Sequence, residues 1–166
     1  MIKIGLLSDT HSFLDEKVFR HFEDCDEVWH AGDIGSESVC CKLEDFKPFK
    51  AVYGNIDAKN IQTKYPENNI FTVEDMKIVI THIGGYPGKY PSRVKNLIKE
   101  TTPDIFICGH SHILKVMTDH QHHKMLFINP GAAGNEGFHK IKTIMKFDID
   151  KKKILNMKVI ELGTRG

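Results

Sequence analysis

A chain of 166 residues carries 23 Lys and Arg against 22 Asp and Glu, for a net charge of +1. That length suits one domain with a real core. The near-neutral charge argues against wrapping of nucleic acid and against an anionic membrane surface. No apolar run approaches the ~18 residues of a membrane span, and the first, Ile2 to Leu7, stops short before Asp9. The expectation is a cytoplasmic protein without a signal peptide. No linker, repeat or low-complexity tract divides the chain, so residues 1–166 are expected to form a single domain.

In chain order, Ile2–Leu7 reads as a strand and residues 16–22 as a helix, with Val18, Phe19 and Phe22 on one face. Residues 28–30 form a short strand. Residues 36–43 form a helix with Ser36 as its N-cap, and residues 49–53 form another strand. Residues 69–73 and 76–81 flank Glu74-Asp75 as a hairpin. A third helix runs from Tyr90 or Pro91 to Glu100, with Ser92 able to cap it and Val94, Leu97 and Ile98 as its stripe. Residues 105–108 form a buried strand, and residues 113–118 and 124–129 a hairpin around His120 to His123. Residues 143–150 and 154–161 alternate on either side of Lys151-Lys152-Lys153, which reads as a solvated turn. Strands and helices alternate first and hairpins follow, a pattern that suggests two packed sheets with helices outside.

The cysteines, Cys25, Cys40, Cys41 and Cys108, form no C-x-x-C pair and no disulfide framework. Cys108 reads as packing and Cys40-Cys41 as part of a helix face. His120, His122 and His123 fall at a hairpin tip and read as solvated loop.

The informative feature is where the apolar runs end. Five of them run into Asp9-Thr10-His11, Gly32-Asp33, Gly54-Asn55, His82 and Gly109-His110-Ser111-His112. Taken singly, Asp9 could be a cap and His82 a core histidine. Taken in series, they point to one site at the carboxyl edge of a sheet, where open α/β sheets place their chemistry. Two divalent cations about 3.5–4 Å apart are a recurrent solution to phosphate-ester hydrolysis, and a bridging carboxylate is the usual way to hold them. Asp33 is the best candidate for that bridge, because Gly32 lets the backbone turn. The i, i+2 spacing of Asp9 and His11, and of His110 and His112, would present each pair on one side of an extended segment. Nitrogen and oxygen donors without thiolate favour manganese, the first expectation, or iron, nickel, cobalt or zinc over calcium.

The order D-x-H, G-D, G-N, H, G-H-x-H resembles the calcineurin-like metallophosphoesterases over nearly the whole chain. The small size and Asn129-Pro130-Gly131-Ala132 make it similar to their compact bacterial and archaeal phosphodiesterase branch. The resemblance implies an α/β fold, a four-layer α/β/β/α sandwich of two mixed sheets. It implies two metal ions, one held by Asp9, His11 and His112, the other by Asn55, His82 and His110, with Asp33 between. It implies a metal-bridging hydroxide as nucleophile. Asp33, Asn55, His82 and His110 are then the residues that bear on the reaction, and Asn55 could also contact a phosphate oxygen. His30, Asp57 and Tyr86 are expected beside the site, to orient ligands or touch substrate; Lys89 shares the last role, and a flexible connector remains the alternative for Gly84 to Gly88.

The pattern departs from larger relatives at one place. Many carry a histidine after G-N to protonate the leaving group, and here Ile56 stands there, followed by Asp57. The general acid is thus unassigned, with Asp57 or a metal-bound water as substitutes. The expected substrate is a small phosphate ester, and a homo-oligomer stays open. The alternatives are a phosphomonoesterase and a non-catalytic scaffold of the same fold, as in the retromer's metallophosphoesterase-like subunit, whose site residues are partly replaced.

Overall fold

The computed structural model describes residues Met1–Gly166. Five strands, β1 (Ile2–Leu7), β2 (Glu27–His30), β3 (Phe49–Ala51), β9 (Ile141–Asp150) and β10 (Lys153–Thr164), form one sheet in the order β10-β9-β1-β2-β3. Strands β1, β2 and β3 are parallel, β9 is antiparallel to β1, and β10 is antiparallel to β9. The second sheet, in the order β4-β5-β6-β8-β7, contains β4 (Asn68–Val73), β5 (Met76–Thr81), β6 (Ile105–Ile107), β7 (Lys115–Asp119) and β8 (Met125–Asn129). Its central strands β5, β6 and β8 are parallel and its edges antiparallel. Helices α1 (Lys17–His21), α2 (Glu37–Phe46) and α3 (Lys59–Lys64) accompany the first sheet, and α4 (Ser92–Thr101) the second.

Three cores separate these four layers, and the period of a strand decides which residue enters which. Between the sheets lie Ile4, Leu6 and Trp29 from one side and Ile78, Ile80, Ile105 and Ile107 from the other. Their neighbours face outward. Leu7 and Val28 meet Phe22 of the α1 end, Leu43 of α2 and Ile61 of α3, while Val79, Phe106 and Cys108 meet Val94 and Ile98 of α4. Both faces of the central strands are buried, which explains their unbroken apolar runs. The architecture is the expected pair of mixed sheets with helices outside.

Several boundaries differ from the sequence reading. Helix α3 was not expected, because it buries only Ile61 and so shows no apolar stripe; the Gln62 side chain ties it to the Asp57 carbonyl. Ser92 is not the cap of α4. The carbonyl of Pro91 accepts the first helical bond, from Lys95, and Ser92 is already helical. Ser36 holds the N-cap position of α2, but its hydroxyl makes no capping bond. Strand β7 begins at Lys115, leaving Ile113 and Leu114 exposed outside it. Strand β10 extends to Thr164 because two bulges reset its alternation, at Leu155/Lys158 and Glu161/Gly163. Cys40 is buried and Cys41 exposed, as a helix face requires, and Cys108 is buried.

Gly5 lets α1 lie close against β1. A Cβ there would stand 2.7 Å from the Phe22 ring. Overpacking of this kind costs ~1–3 kcal/mol. Gly5→Ala should therefore lower the urea unfolding free energy by about that amount. In a Phe22→Leu background the same change should cost less than half as much. Equal cost in both backgrounds would mean that the ring is not what Gly5 accommodates.

Candidate metal centre

The carboxyl ends of β1, β2, β3, β5 and β6 converge where the two sheets meet, and two donor groups form there. Asp9, His11 and His112 make one, and Asp33, His82 and His110 the other, with the ligand atoms of each within 4.8 Å of one another. Asn55 joins the second, its Oδ1 lying 3.0 Å from Nδ1 of His110. All seven residues named from the sequence are thus brought together. The groups share an inner face. Asp33 Oδ2 is 3.5 Å from His11 Nε2 and 3.1 Å from His82 Nε2, so it touches both. Asp9 Oδ1 is 3.2 Å from His112 Nε2 and 3.8 Å from both His11 Nε2 and His82 Nε2.

The aiming of these side chains is not that of a strand. Asp9, His11, Asp33, His110 and His112 all have left-handed backbone, with φ between 45° and 70°. The i, i+2 argument therefore fails for its stated reason: the strands end first, and tight loops turn each ligand inward. Asp9 and His11 still reach one group, while His110 and His112 separate. Asp and His adopt this region more readily than most residues, yet such a cluster is strained and persists only where surroundings over-determine it. Backbone bonds supply that restraint, from Asp9 N–H to the Gly32 carbonyl and from His11 N–H to the Asp33 carbonyl. Gly109 is required by close approach, since a Cβ there would meet Ser8 Oγ at 2.2 Å and Asp9 Oδ2 at 2.6 Å.

Hydrogen bonds orient each donor and leave one atom of it facing the centre. Asp9 Oδ2 accepts from the Ser8 hydroxyl and the His110 N–H, which leaves Oδ1 without a partner. His82 Nδ1 donates to the Ala31 carbonyl across the sheets at 2.8 Å, which leaves Nε2 facing the centre. Asp33 Oδ1 accepts from the Ile56 N–H, freeing Oδ2. The buried atoms without a partner are Asp9 Oδ1, His11 Nε2 and His82 Nε2, and all three belong to this centre. Unpaired buried polar atoms are costly. Carboxylate oxygens and imidazole nitrogens converging in this way fit divalent transition-metal ions.

The charges respond to one another. Burial alone would raise the Asp9 carboxyl, but the close approach of His11 and His112, the nearby His82 and the Ser8 hydroxyl outweigh it and hold Asp9 well below the usual carboxylate range. Asp33 is lowered too, as His82 and the Ile56 N–H overcome burial. His11 is raised, chiefly by the adjacent Asp9 carboxylate, and His82 is raised despite burial by Asp33 and Asp9. His110 is lowered by burial and by the neighbouring His82.

The flanking residues divide into braces and walls. His30 is fully buried and is not in either donor group. Its Nδ1 accepts from the Gly32 N–H, and its Nε2 donates to Thr10 Oγ1, whose hydroxyl donates to the Ile34 carbonyl. It joins the loops that carry Asp9 and Asp33. Asp57 accepts from three backbone N–H groups, those of Ile34, Gly35 and Gly54. That clamp commits its carboxylate and removes it from the role of proton donor considered above. Tyr86 is 41 % exposed, with the Lys115 ammonium 4.7 Å from its ring centre. It lines a cleft of about 270 Å³ with Ser111, Ile113 and Asn129. Asn129 donates to the Gly109 carbonyl and to Ser111 Oγ, fixing the loop that carries His110 and His112. Of the histidines at the hairpin tip, His120 and His123 are exposed, and His122 pairs with Asp119 at 2.8 Å.

His139 carried no signal in the sequence, yet it orients a donor. Its Nε2 donates to the Gly134 carbonyl at 2.7 Å, so its Nδ1 accepts from His112 Nδ1 at 3.3 Å. That bond turns His112 Nε2 toward Asp9. No motif spacing could have found it, because Gly134 to His139 is an irregular loop folded back over the site.

Comparison with known proteins agrees with this geometry. Residues 2–152 match the calcineurin-like phosphoesterase superfamily domain. A probable metallophosphoesterase of Methanothermobacter thermautotrophicus is 31% identical over 136 residues, covering 78% of this chain and 76% of the relative. A second, from Methanocaldococcus jannaschii, is 30% identical over 155 residues, covering 90% and 77%. Among solved structures, wild-type Vps29 complexed with Zn²⁺ from Entamoeba histolytica superimposes with a TM-score of 0.76 at 15% identity, over 96% of this chain and 99% of that one. The chain belongs to the calcineurin-like phosphoesterase superfamily. No helix is long and apolar enough to cross a membrane.

His30 gives a pH signature with a definite sign. Burial pushes its imidazole from 6.5 down to about 3, so the folded protein keeps it neutral while the unfolded chain protonates it. Its contribution to stability is fully present above the unfolded value and is lost as pH falls below it. The stability gap between the metal-free protein and its His30→Gln variant should narrow between about pH 7.5 and about pH 5. Effects of His11 and His82 are common to both proteins and cancel. A gap that widens in acid would show that His30 is held protonated.

Proposed function

We propose that this chain is a divalent-metal-dependent phosphodiesterase with a dinuclear site. The observation that carries the reading is the pair of donor groups sharing Asp33, with three partnerless buried atoms aimed at one centre. Asp9, His11 and His112 would hold one ion, Asn55, His82 and His110 the other, and Asp33 both. Two such ions supply charge neutralisation at the phosphoryl oxygens and an acidified water. Manganese is the first choice for this nitrogen and oxygen set, with iron, cobalt, nickel or zinc as alternatives.

The chain's own residues do the rest. Ala31 and His139 fix the tautomers of His82 and His112, so that lone pairs face inward. Asn55 and His110, both exposed at the mouth, are placed to meet a phosphate oxygen as negative charge grows on it. A diester needs room for two substituents, and two clefts flank the donors. One of about 260 Å³ opens on Asn55 and His82, and one of about 270 Å³ lies beside Ser111 and Tyr86. The intact donor set favours an enzyme over a scaffold, for a protein-recruiting surface has no need of strained, partnerless ligands.

Metal stoichiometry tests the site. Chelated protein should lose hydrolysis of bis(4-nitrophenyl) phosphate and regain it with Mn²⁺. Asp33→Asn should weaken both ions, whereas His139→Leu should weaken one by roughly 10–100-fold. His139→Asn keeps an acceptor toward His112 and should recover most of that loss. Full activity in the chelated protein would end the metal mechanism. Two tightly held ions in Asp33→Asn would end the bridge.

Leaving-group dependence tests the proton. The Ile56 side chain is 46 % exposed where an acid would stand, and Asp57 is committed to backbone donors. A placed general acid contributes ~10²–10⁴-fold. The rate kcat/KM should therefore fall steeply from nitrophenyl to alkyl esters, and Ile56→His should help alkyl esters selectively. A flat series would mean that another group already delivers the proton.

A further inference from the structure

The cleft of about 260 Å³ that opens on Asn55 and His82 is bounded by Tyr53, Glu67 and Arg93. Arg93 lies near the start of α4, far in sequence from the donors, and no motif drew attention to it. Its guanidinium is nonetheless fixed in place. Nη1 donates to Asn68 Oδ1 at 2.9 Å, and Nη2 donates to Thr81 Oγ1 at 3.2 Å and to the Ile83 carbonyl at 2.9 Å. Thr81 and Ile83 are the residues on either side of His82, so the cation sits within one residue of the second donor group.

Two features make this more than a brace for β5. All three acceptors are neutral, so the positive charge of Arg93 is left uncompensated. The bonds also spend only part of the guanidinium, which carries five N–H groups. A planar cation held rigidly beside a phosphoryl site, with donors to spare, is a prepared receptor for a carboxylate or phosphate. Glu67 lines the same cleft and, with an acceptor-only carboxylate, would suit a hydroxyl or amine rather than a second anion.

We propose that Arg93 forms a substrate subsite for a second anionic group, so that the natural ester carries a carboxylate or a further phosphate on the substituent that enters this cleft. The proposal rests on the phosphoesterase reading of the donor groups and narrows its substrate class. It requires no change of mechanism: one phosphoryl group lies at the donors and the second anion at Arg93.

The test is calorimetric titration of the manganese-loaded 166-residue chain with three monoesters that differ only in their tails. Ethyl phosphate is neutral at the tail, 2-carboxyethyl phosphate carries a carboxylate, and ethylene bisphosphate carries a second phosphate. A hydrogen-bonded charged contact predicts at least one anionic tail binding about tenfold or more tighter than ethyl phosphate. Which tail gains identifies the group. In Arg93→Gln the advantage should fall to within about twofold, with bound manganese unchanged. Equal binding of all three esters by the wild type would overturn the subsite alone. A uniform loss in Arg93→Gln, with the tail preference intact, would reduce Arg93 to a support for Thr81 and Ile83 and also overturn it. Failure of all three esters to bind a protein that still hydrolyses bis(4-nitrophenyl) phosphate would overturn the subsite alone, whereas failure of both binding and hydrolysis would remove the phosphoesterase reading and the subsite with it.

Discussion

Two carboxylates, Asp9 and Asp33, are buried where the sheets meet, and both lie within 3.8 Å of the same two histidine nitrogens. Burying like charges together is unfavourable unless cations stand between them. The carboxylates favour positive charge on the neighbouring imidazoles: Asp9 raises His11, and Asp33 and Asp9 raise His82 despite its burial. The protein has built a site whose electrostatics demand positive charge. Divalent ions would meet that demand more fully than protons, because they would engage the partnerless lone pairs as well as the charge.

That demand explains the cost accepted in the backbone. Five of the seven donors sit at left-handed φ, which no strand or helix would ask of them. The strain is spread over loops that are braced from behind. His30 ties the Asp9 loop to the Asp33 loop, Asp57 ties the Asp33 loop to the Asn55 loop, and Asn129 ties down the His110 loop. Each brace is a buried polar side chain with its bonds satisfied, so it specifies position without competing for the metal. Hydrogen bonds of two donor residues cross between the sheets, from His82 to Ala31 and from His110 to Asp9. The site therefore also staples the open end of the inter-sheet core.

The donors were legible because they belong to a linear order of short motifs, each at the end of an apolar run. The layers were legible because Ile78-Val79-Ile80 and Ile105-Phe106-Ile107 leave no polar face. What escaped was local or long-range. Helix α3 has a single buried residue, so periodicity had nothing to detect. His139 and Arg93 reach the site through folding of distant segments, and a lone histidine or arginine carries no spacing to read. The argument from i, i+2 spacing grouped Asp9 with His11 correctly for the wrong reason, since it assumed extended backbone where the chain turns left-handed.

The position after Asn55 shows how such a site could change its chemistry without disturbing its donor groups. Residue 56 supports Asp33 through its backbone N–H, at 3.0 Å from Oδ1, while its side chain points to solvent. Any residue at that position can make this bond. The side chain is thus free to be an imidazole, which would serve poor leaving groups, or an isoleucine, which offers them nothing. The neighbouring Asp57 has no such freedom, because three backbone donors depend on it. Proton donation is separable from the metal framework here, whereas the acid next to it is part of that framework. In this chain the retained aspartate therefore speaks for loop geometry rather than for acid catalysis.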